Sequence, residues 1–283
     1  MTSFIPPVTV LTPIVIRILG CNPGAMTLQG TNTYLLGSGR KRILFDTGQG
    51  VPEYFNNLKS VLSSENVTLE HIIISHWHID HIGGIKSIMN SSFSANCKVW
   101  KYARSDCSEL DYVNDVLINK LQNNQEFFTE GATLKVIHTP GHSTDHIILT
   151  LKEENAVFSG DCILGEGTSI FEDLHEYLNS LHKIQDLKAK IIYPGHGPIN
   201  VEETVKRYIQ HRLEREKNIL VVIDSFPVDK EWTVDELVEI LYKETPRELH
   251  KAAGWNVSRH LHKLLKDDKV TLTNDKWKIR SNL

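Results

Sequence analysis

The stretch Ser75-His76-Trp77-His78-Ile79-Asp80-His81 brings three imidazoles and a carboxylate together within six residues. Neutral imidazole combined with carboxylate suits zinc and its neighbours, whereas calcium takes oxygen ligands only. His76 and His78, two apart, can point the same way from an extended or turning strand end. Asp80 and His81 then fall where the chain enters a helix and can face a second ion. A histidine-rich surface turn that serves only solubility is the plain alternative, and for a lone His-x-His it would be preferred. Four potential ligands packed together behind a strand favour a metal site.

The elements that must position this stretch follow from the hydrophobic pattern. The apolar run Ile72-Ile73-Ile74 reads as a buried strand that ends at the histidines, and Gly83-Gly84 closes the stretch. Before it, Ile14–Leu19 and Thr33–Leu36 read as strands around a Cys21-Asn22-Pro23-Gly24 turn, and Ser38-Gly39-Arg40 turns into a strand over Arg42–Asp46. Asp46 thus ends a buried strand, where an acid serves at least as an Asx turn or helix cap. Val51–Ser64 reads as a helix, as does the segment from Asp80 to Met89. Cys97–Trp100 and Thr133–His138 are further strands, with a polar helix or loop between them. Ile147–Leu151, Ala156–Ser159 and Lys190–Tyr193 continue the strand-rich layout, and a helix near Leu174–Leu187 separates the last two.

From Val201 the texture changes. Val201–Ile223 reads as one long charged helix, and Thr233 with Glu236 forms a capping box that starts another. A helix over Asn256–Lys266 is followed by strands at Lys269–Thr273 and Lys276–Arg280 about an Asn274-Asp275 turn. This order resembles a winged helix, with Lys276, Trp277, Lys278 and Arg280 as the wing. Winged helices contact nucleic acid or serve as packing modules, and both readings stand here.

The pattern His-x-His-x-Asp-His resembles the signature of the metallo-β-lactamase superfamily. That resemblance implies an α/β fold of the α+β kind, a four-layer αββα sandwich with its metal site at the strand-end edge. It also implies three ligands downstream, and the chain supplies candidates in order. His142 lies in Thr139-Pro140-Gly141-His142-Ser143, Asp161 in Phe158-Ser159-Gly160-Asp161, and His196 in Tyr193-Pro194-Gly195-His196-Gly197. Carried over residue by residue, His76, His78 and His142 hold one zinc ion. Asp80, His81 and His196 hold a second, and Asp161 bridges the two. The family's matching residue to Asp46 braces the histidine loop. A water between two such cations ionises near neutral pH and becomes a hydroxide nucleophile. Asp80 orients it, so Asp80 and Asp161 are the candidate catalytic residues. Histidine at position 78, where a glutamate would hint at the di-iron redox branch, points to zinc. His146 reads as a supporting or core residue rather than an eighth ligand. His71, His138, His175, His182, His211, His250, His260 and His262 fit no ligand spacing. Thr31-Asn32-Thr33 can end a strand near the metals, and Gly165–Thr168 can flank the cleft.

Composition sets the frame. The 283 residues allow a full core and a division into a large domain, 1–203, and a small one, 204–283. A 40% apolar and 23% charged content is that of an ordinary soluble protein, and a net charge of −4 argues against a strongly basic nucleic-acid binder. The charge is uneven: residues 1–204 carry 15 Lys and Arg against 22 Asp and Glu, and the remainder carries 16 against 13. The four cysteines show no Cys-x-x-Cys spacing, which points to a reducing compartment and buried thiols. Val8–Leu19 is broken by Pro13 and Arg17, so no membrane span is expected, and no basic head precedes it as in a secretory signal.

Longer stretches carry a closer resemblance. Leu19-Gly20-Cys21-Asn22-Pro23-Gly24, Met26 to Tyr34, Phe158 to Thr168 and Tyr193 to Pro198 are similar to the beta-lactamase-like protein 2 family over nearly the whole chain. That family has a glyoxalase II-like core and implies a zinc-dependent endoribonuclease acting on single-stranded RNA in the mitochondrial matrix, the cytoplasm being the alternative compartment. A glyoxalase II-like thioesterase remains the alternative activity, since the same metals serve both, and a non-catalytic nucleic-acid-binding protein is a third reading. Antibiotic hydrolysis is not expected, because that branch is typically exported. No large insertion lies between the His142 and His196 motifs, so RNA would be gripped by surface loops and the C-terminal domain, with weak sequence specificity.

Overall fold

Strands buried on both faces set the architecture of the computed structural model, which describes residues 3–107, 112–113, 115–227 and 229–280. One sheet holds β1 (Val8–Thr12), β2 (Val15–Leu19), β3 (Asn32–Leu36), β4 (Lys41–Phe45), β5 (Thr68–Ile74), β6 (Lys98–Lys101), β7 (Tyr112–Val113) and β8 (Val116–Lys120). Its spatial order is β1-β2-β3-β4-β5-β6-β8-β7. The other sheet holds β9 (Glu126–Thr129), β10 (Ala132–His138), β11 (Ile147–Leu151), β12 (Ala156–Gly160), β13 (Ile191–Pro194) and β14 (Asn200–Val201), ordered β14-β13-β12-β11-β10-β9.

Alternation along the strands builds four layers. In β5, Ile73 faces the space between the sheets while Ile72 and Ile74 face the other way. β4 repeats this with Ile43 and Phe45 inward and Leu44 outward, and β11 with Ile147, Leu149 and Leu151 inward and Ile148 outward. Both faces are therefore apolar, the expected pattern for strands covered by helices. Tyr34, Phe45, Phe158 and Tyr193 form the aromatic centre between the sheets, with Phe158 and Tyr193 stacked at 4.8 Å. Helices α1 (Pro52–Ser64), α2 (Ile79–Ile82) and α3 (Ile85–Met89) pack outside the first sheet through Tyr54, Leu58, Ile82, Ile85 and Ile88. Outside the second lie α4 (Leu174–Asp186) and the first half of α5 (Glu203–Asp224).

The expected helix over Asp80–Met89 is two short helices instead. Gly83-Gly84 breaks it because the chain turns there against the loop after β4: a Cβ on Gly84 would lie 2.0 Å from the Thr47 carbonyl oxygen. The polar helix or loop expected between Trp100 and Thr133 contains strands β7, β8 and β9, with β8 parallel to β6; residues 108–111 and 114 of that span lie outside the described residues. β1, unanticipated, adds an antiparallel edge to β2. The helix expected from Val201 begins at Glu203, because Val201 is drawn into β14 opposite Ile191. Cys97 and Cys162 are buried as expected, whereas Cys107 is exposed.

Beyond the sandwich, α5 continues without a break. Val205, Tyr208 and Ile209 belong to the sandwich, and Ile219 and Ile223 belong to a separate core with α6 (Val234–Leu241), α7 (His250–Lys266), β15 (Val270–Thr273) and β16 (Lys276–Ile279). Thr233 and Glu236 make the expected capping box at the start of α6. α7 begins six residues before the expected Asn256 and runs through Gly254. Trp277 is not a wing-tip side chain: it is buried in this core, and its backbone pairs with Trp232. Lys276 lies 3.9 Å from Glu231, and Arg280 pairs with Asp268. Among the described residues no helix is long and apolar enough to cross a membrane.

Candidate metal centre

All seven candidate ligands meet at one edge of the sandwich, where β5, β10, β12 and β13 deliver their following loops. They form two groups, His76, His78, His142 and Asp161 in one, and Asp80, His81 and His196 in the other. In the first group His76 Nε2 lies 2.9 Å from His78 Nδ1 and 3.2 Å from His142 Nε2, and His142 Nε2 lies 3.1 Å from His78 Nδ1. In the second, His81 Nε2 and His196 Nε2 are 3.3 Å apart, and each is 3.2 Å from Asp80 Oδ2. A tetrahedral zinc with ligands at about 2.0–2.1 Å has ligand–ligand edges of roughly 3.3 Å, so both groups fit the ion.

Asp161 sits between the groups and divides its oxygens. Oδ1 faces His81 at 3.3 Å and His196 at 3.4 Å, while Oδ2 faces His142 at 3.8 Å. Oδ1 is buried and accepts no hydrogen bond, a costly state that a cation on either side relieves. Together with the nitrogen spacing, this orphaned acceptor shows that the residues fit a metal pair.

The nitrogens turned away from the groups are held by acceptors, which fixes the tautomer that presents the other nitrogen. His81 Nδ1 donates to Asp46 Oδ2 at 2.7 Å. His76 Nδ1 meets Ser75 Oγ at 2.9 Å, and that hydroxyl donates to Asp46 Oδ2 at 2.8 Å. Asp46 also accepts from the Ser75 N–H at 2.7 Å, so it braces the histidine loop from the end of β4. His142 Nδ1 donates to the Ile170 carbonyl at 2.9 Å, and His196 Nδ1 lies 3.3 Å from the Gly30 carbonyl. His146 is a support: its Nε2 accepts from the Asp161 N–H at 3.1 Å and its Nδ1 meets Thr139 Oγ1 at 2.9 Å. Thr31 donates to Asp80 Oδ2 at 3.0 Å and is itself held by Asn22.

Sequence motifs do not reveal several of these partners. The Ile170 and Gly30 carbonyls carry no residue-type signal. Neither does Arg212 of α5, buried over the Phe171 ring at 4.7 Å, whose guanidinium donates to the Ser169 carbonyl at 2.6 Å. Ser169 in turn donates to the Asp161 carbonyl oxygen, so a residue of the long helix steadies the loop that holds two ligands.

Charge in the centre follows the same division. Burial, reinforced by the neighbouring imidazoles, holds His76 far below its ordinary value and His78 at about 4. Burial opposes charge at His196 too, but Asp161 and Asp80 overcome it and lift that imidazole to about 9. His81 rises for the same reason, against burial, beside Asp161, Asp46 and Asp80. Burial would raise Asp80 and Asp161, but the facing imidazoles hold both carboxyls well below the usual range. The carboxylates thus draw positive charge into the second pocket, as a proton or as a metal. Metal uptake there must displace protons, so it weakens as pH falls.

The groups open into a cleft of about 520 Å³ whose walls include Met26, Leu28, Trp77, Ile79, Leu164 and Ile170. The segment Glu166–Thr168 flanks it, as the sequence suggests. Trp77 keeps 37% of its surface exposed, with the Arg104 guanidinium 4.3 Å over its ring. A larger groove of about 900 Å³ runs between α5 and the wing, and among its charged side chains Glu216 pairs with Lys269 and Arg280 with Asp268.

This geometry is that of the metallo-beta-lactamase superfamily, whose profile matches residues 26–196, with a beta-lactamase associated winged helix domain matching 233–277. A structure of a metallo-beta-lactamase family protein from Thermus thermophilus aligns over 96% of this chain and 100% of its own, with a TM-score of 0.71 at 20% identity. A beta-lactamase-like protein 2 homolog from Drosophila melanogaster is 49% identical over 96% of this chain and 94% of its own length. The chain therefore belongs to the beta-lactamase-like protein 2 family within that superfamily of metallohydrolases. It is also 37% identical to an atrochrysone carboxyl ACP thioesterase from Aspergillus fumigatus, over 87% of this chain and 78% of that one.

Proposed function

We propose that the protein is a dinuclear zinc endoribonuclease that hydrolyses single-stranded RNA. The observation that carries this reading is the exposed Trp77–Arg104 stack set directly between two ligand positions, at the mouth of the cleft. An exposed aromatic face beside the metals is what an unpaired nucleotide requires: a surface for the base while its phosphate reaches the ions. His76, His78, His142 and Asp161 would hold one ion, and Asp80, His81, His196 and Asp161 the other. When bound, the ions supply water activation near neutral pH and Lewis acidity toward the phosphoryl oxygens.

The chain's own residues do the rest. Asp80 borders the cleft and stays ionised, so it orients an attacking water as an acceptor rather than storing its proton. Thr31, by donating to one oxygen of Asp80, fixes the carboxylate's rotation. Arg104, paired with Asp106, stays over the Trp77 ring and supports it. No Lys or Arg borders the cleft itself among the described residues, so the phosphate under attack depends on the metal charge.

A thioesterase is the second reading, favoured by the apolar wall of Met26, Leu28, Ile79, Leu164 and Ile170, which suits an acyl chain. Zinc-loaded protein assayed on single-stranded RNA, duplex RNA and a panel of thioesters separates the two. Cleavage of unstructured RNA, slower cleavage of duplex and little thioester turnover are expected, all RNA activity vanishing in His76→Ala. Thioesters turning over far faster than RNA, or cleavage that survives His76→Ala, would overturn the assignment. By family resemblance the proposed compartment is the mitochondrial matrix; recovery of the native protein solely in the cytosolic fraction would refute that.

A further inference from the structure

We propose that Trp255 and Arg259 of α7 form a second stacking platform, which holds a base of the same RNA strand whose first base stacks on Trp77. The inference rests on the ribonuclease reading above. Of the five tryptophans, Trp232 and Trp277 are buried in the C-terminal core, while Trp77 and Trp255 stay 37% and 43% exposed. Both exposed rings carry a guanidinium: Arg104 lies 4.3 Å over Trp77, and Arg259 lies 5.0 Å over Trp255. An arginine over one face of a tryptophan fixes the side chain in place, and its remaining surface is open to a base.

The two platforms belong to one rim. Ile170 borders the metal cleft, and the next residue, Phe171, packs 5.9 Å from Trp255. α7 is held in this place by its far end, where Lys266 pairs with Asp173 and Asp267 lies 3.4 Å from His175. The surface that the small domain turns toward the metals is therefore α7 rather than the hairpin.

The occupant follows from the chemistry of the rim. Arg104 is paired with Asp106, so the rim carries little net positive charge. It suits flat rings more than a run of phosphates. A duplex hides its bases in the stack, and the arm of an acyl carrier has no planar ring to offer. An unpaired strand fits, with binding that depends on stacking and only shallowly on salt.

The test compares a 12-nucleotide oligouridylate with a dinucleotide too short to span both platforms, using zinc-loaded protein. In Trp255→Ala the ratio of kcat/KM for the long over the short substrate should fall about tenfold. Trp255→Phe should restore most of it, and Lys278→Ala on the hairpin should leave the ratio at the wild-type value. Binding of a hydrolysis-resistant phosphorothioate strand, read by anisotropy, should weaken in parallel. An unchanged ratio and unchanged binding in Trp255→Ala overturn the platform while leaving the ribonuclease reading intact. Trp255-dependent binding without any RNA cleavage overturns the ribonuclease reading and keeps the platform. A Trp255→Ala effect confined to an acyl-carrier thioester overturns both in favour of a carrier surface.

Discussion

The bridging role of Asp161 can be tested without touching a ligand, through Gly195. An alanine there would place its Cβ 2.3 Å from Asp161 Oδ1, where ordinary contact begins at 3.4 Å. The carboxylate or the backbone must yield by roughly 1 Å, several times the ~0.2 Å tolerance of a metal–ligand distance. Retreat of the backbone is blocked: Gly195 N donates to the Gly160 carbonyl at 2.8 Å, and the Gly195 carbonyl accepts from Asn32 N at 2.7 Å. Gly195 lies outside the left-handed region, so the cost is one of volume, which the Gly160 carbonyl carbon, 2.9 Å from the new Cβ, shares with Asp161. Overpacking of this kind costs about 1–3 kcal/mol, which leaves the protein folded. A ~1 Å displacement of one group in an active centre costs about 100-fold in rate. Metal affinity should fall about 10–100-fold by comparison with losing a residue that orients a ligand. Metal analysis after gel filtration, steady-state turnover and urea unfolding read the three quantities separately. A folded Gly195→Ala protein with two tightly bound ions and wild-type turnover would show that Asp161 does not bridge the groups.

Three further outcomes are expected. Wild-type protein prepared in excess zinc should carry close to two ions, and Asp161→Ala should retain about one and lose nearly all activity; wild type with a single ion would count against the pair. Ser75→Ala removes the hydroxyl between Asp46 and His76 and should weaken metal binding about 10–100-fold in a competition titration with a chromophoric chelator, affinity equal to wild type being the contrary result. His260 concerns stability: it is buried with neither ring nitrogen partnered, and burial followed by Arg212 and Arg215 depresses it to about 3. Its neutral form is the folded form, so stability is fully present above the unfolded value near 6.5 and is lost as pH falls from there toward 3. At pH 5 this loss reaches about 2 kcal/mol, and His260→Leu should abolish it while holding stability at pH 7.5. Equal acid sensitivity of the two proteins in urea titrations would dismiss the idea.

What sequence reveals here follows from where the information sits. The histidine cluster was legible from its residue types behind the buried run Ile72-Ile73-Ile74, and the downstream candidate ligands and the bracing Asp46 through the family resemblance. The partners of those ligands are largely backbone carbonyls, at Ile170 and Gly30, which any residue could supply. The break in the Asp80–Met89 helix depends on Thr47, distant in sequence, meeting Gly84. The 203/204 division falls at the start of α5, a helix whose two halves enter two cores, so residue texture alone cannot show where the shared element belongs. The hairpin expected as the wing is present as β15 and β16, and what composition did not show is the burial of its tryptophan. In Lys276-Trp277-Lys278 the strand period of two puts the lysines on one face and the tryptophan on the other. That alternation is what buries Trp277 in the C-terminal core. Trp255 is the reverse case. It lies between Ala253 and Val257 on a helix whose apolar spacing reads as core, yet it stays 43% exposed with Phe171 and Arg259 against its ring. Burial is a property of what the rest of the chain brings to a residue, so the exposure of Trp255 could be found only once Phe171 and α7 were seen side by side.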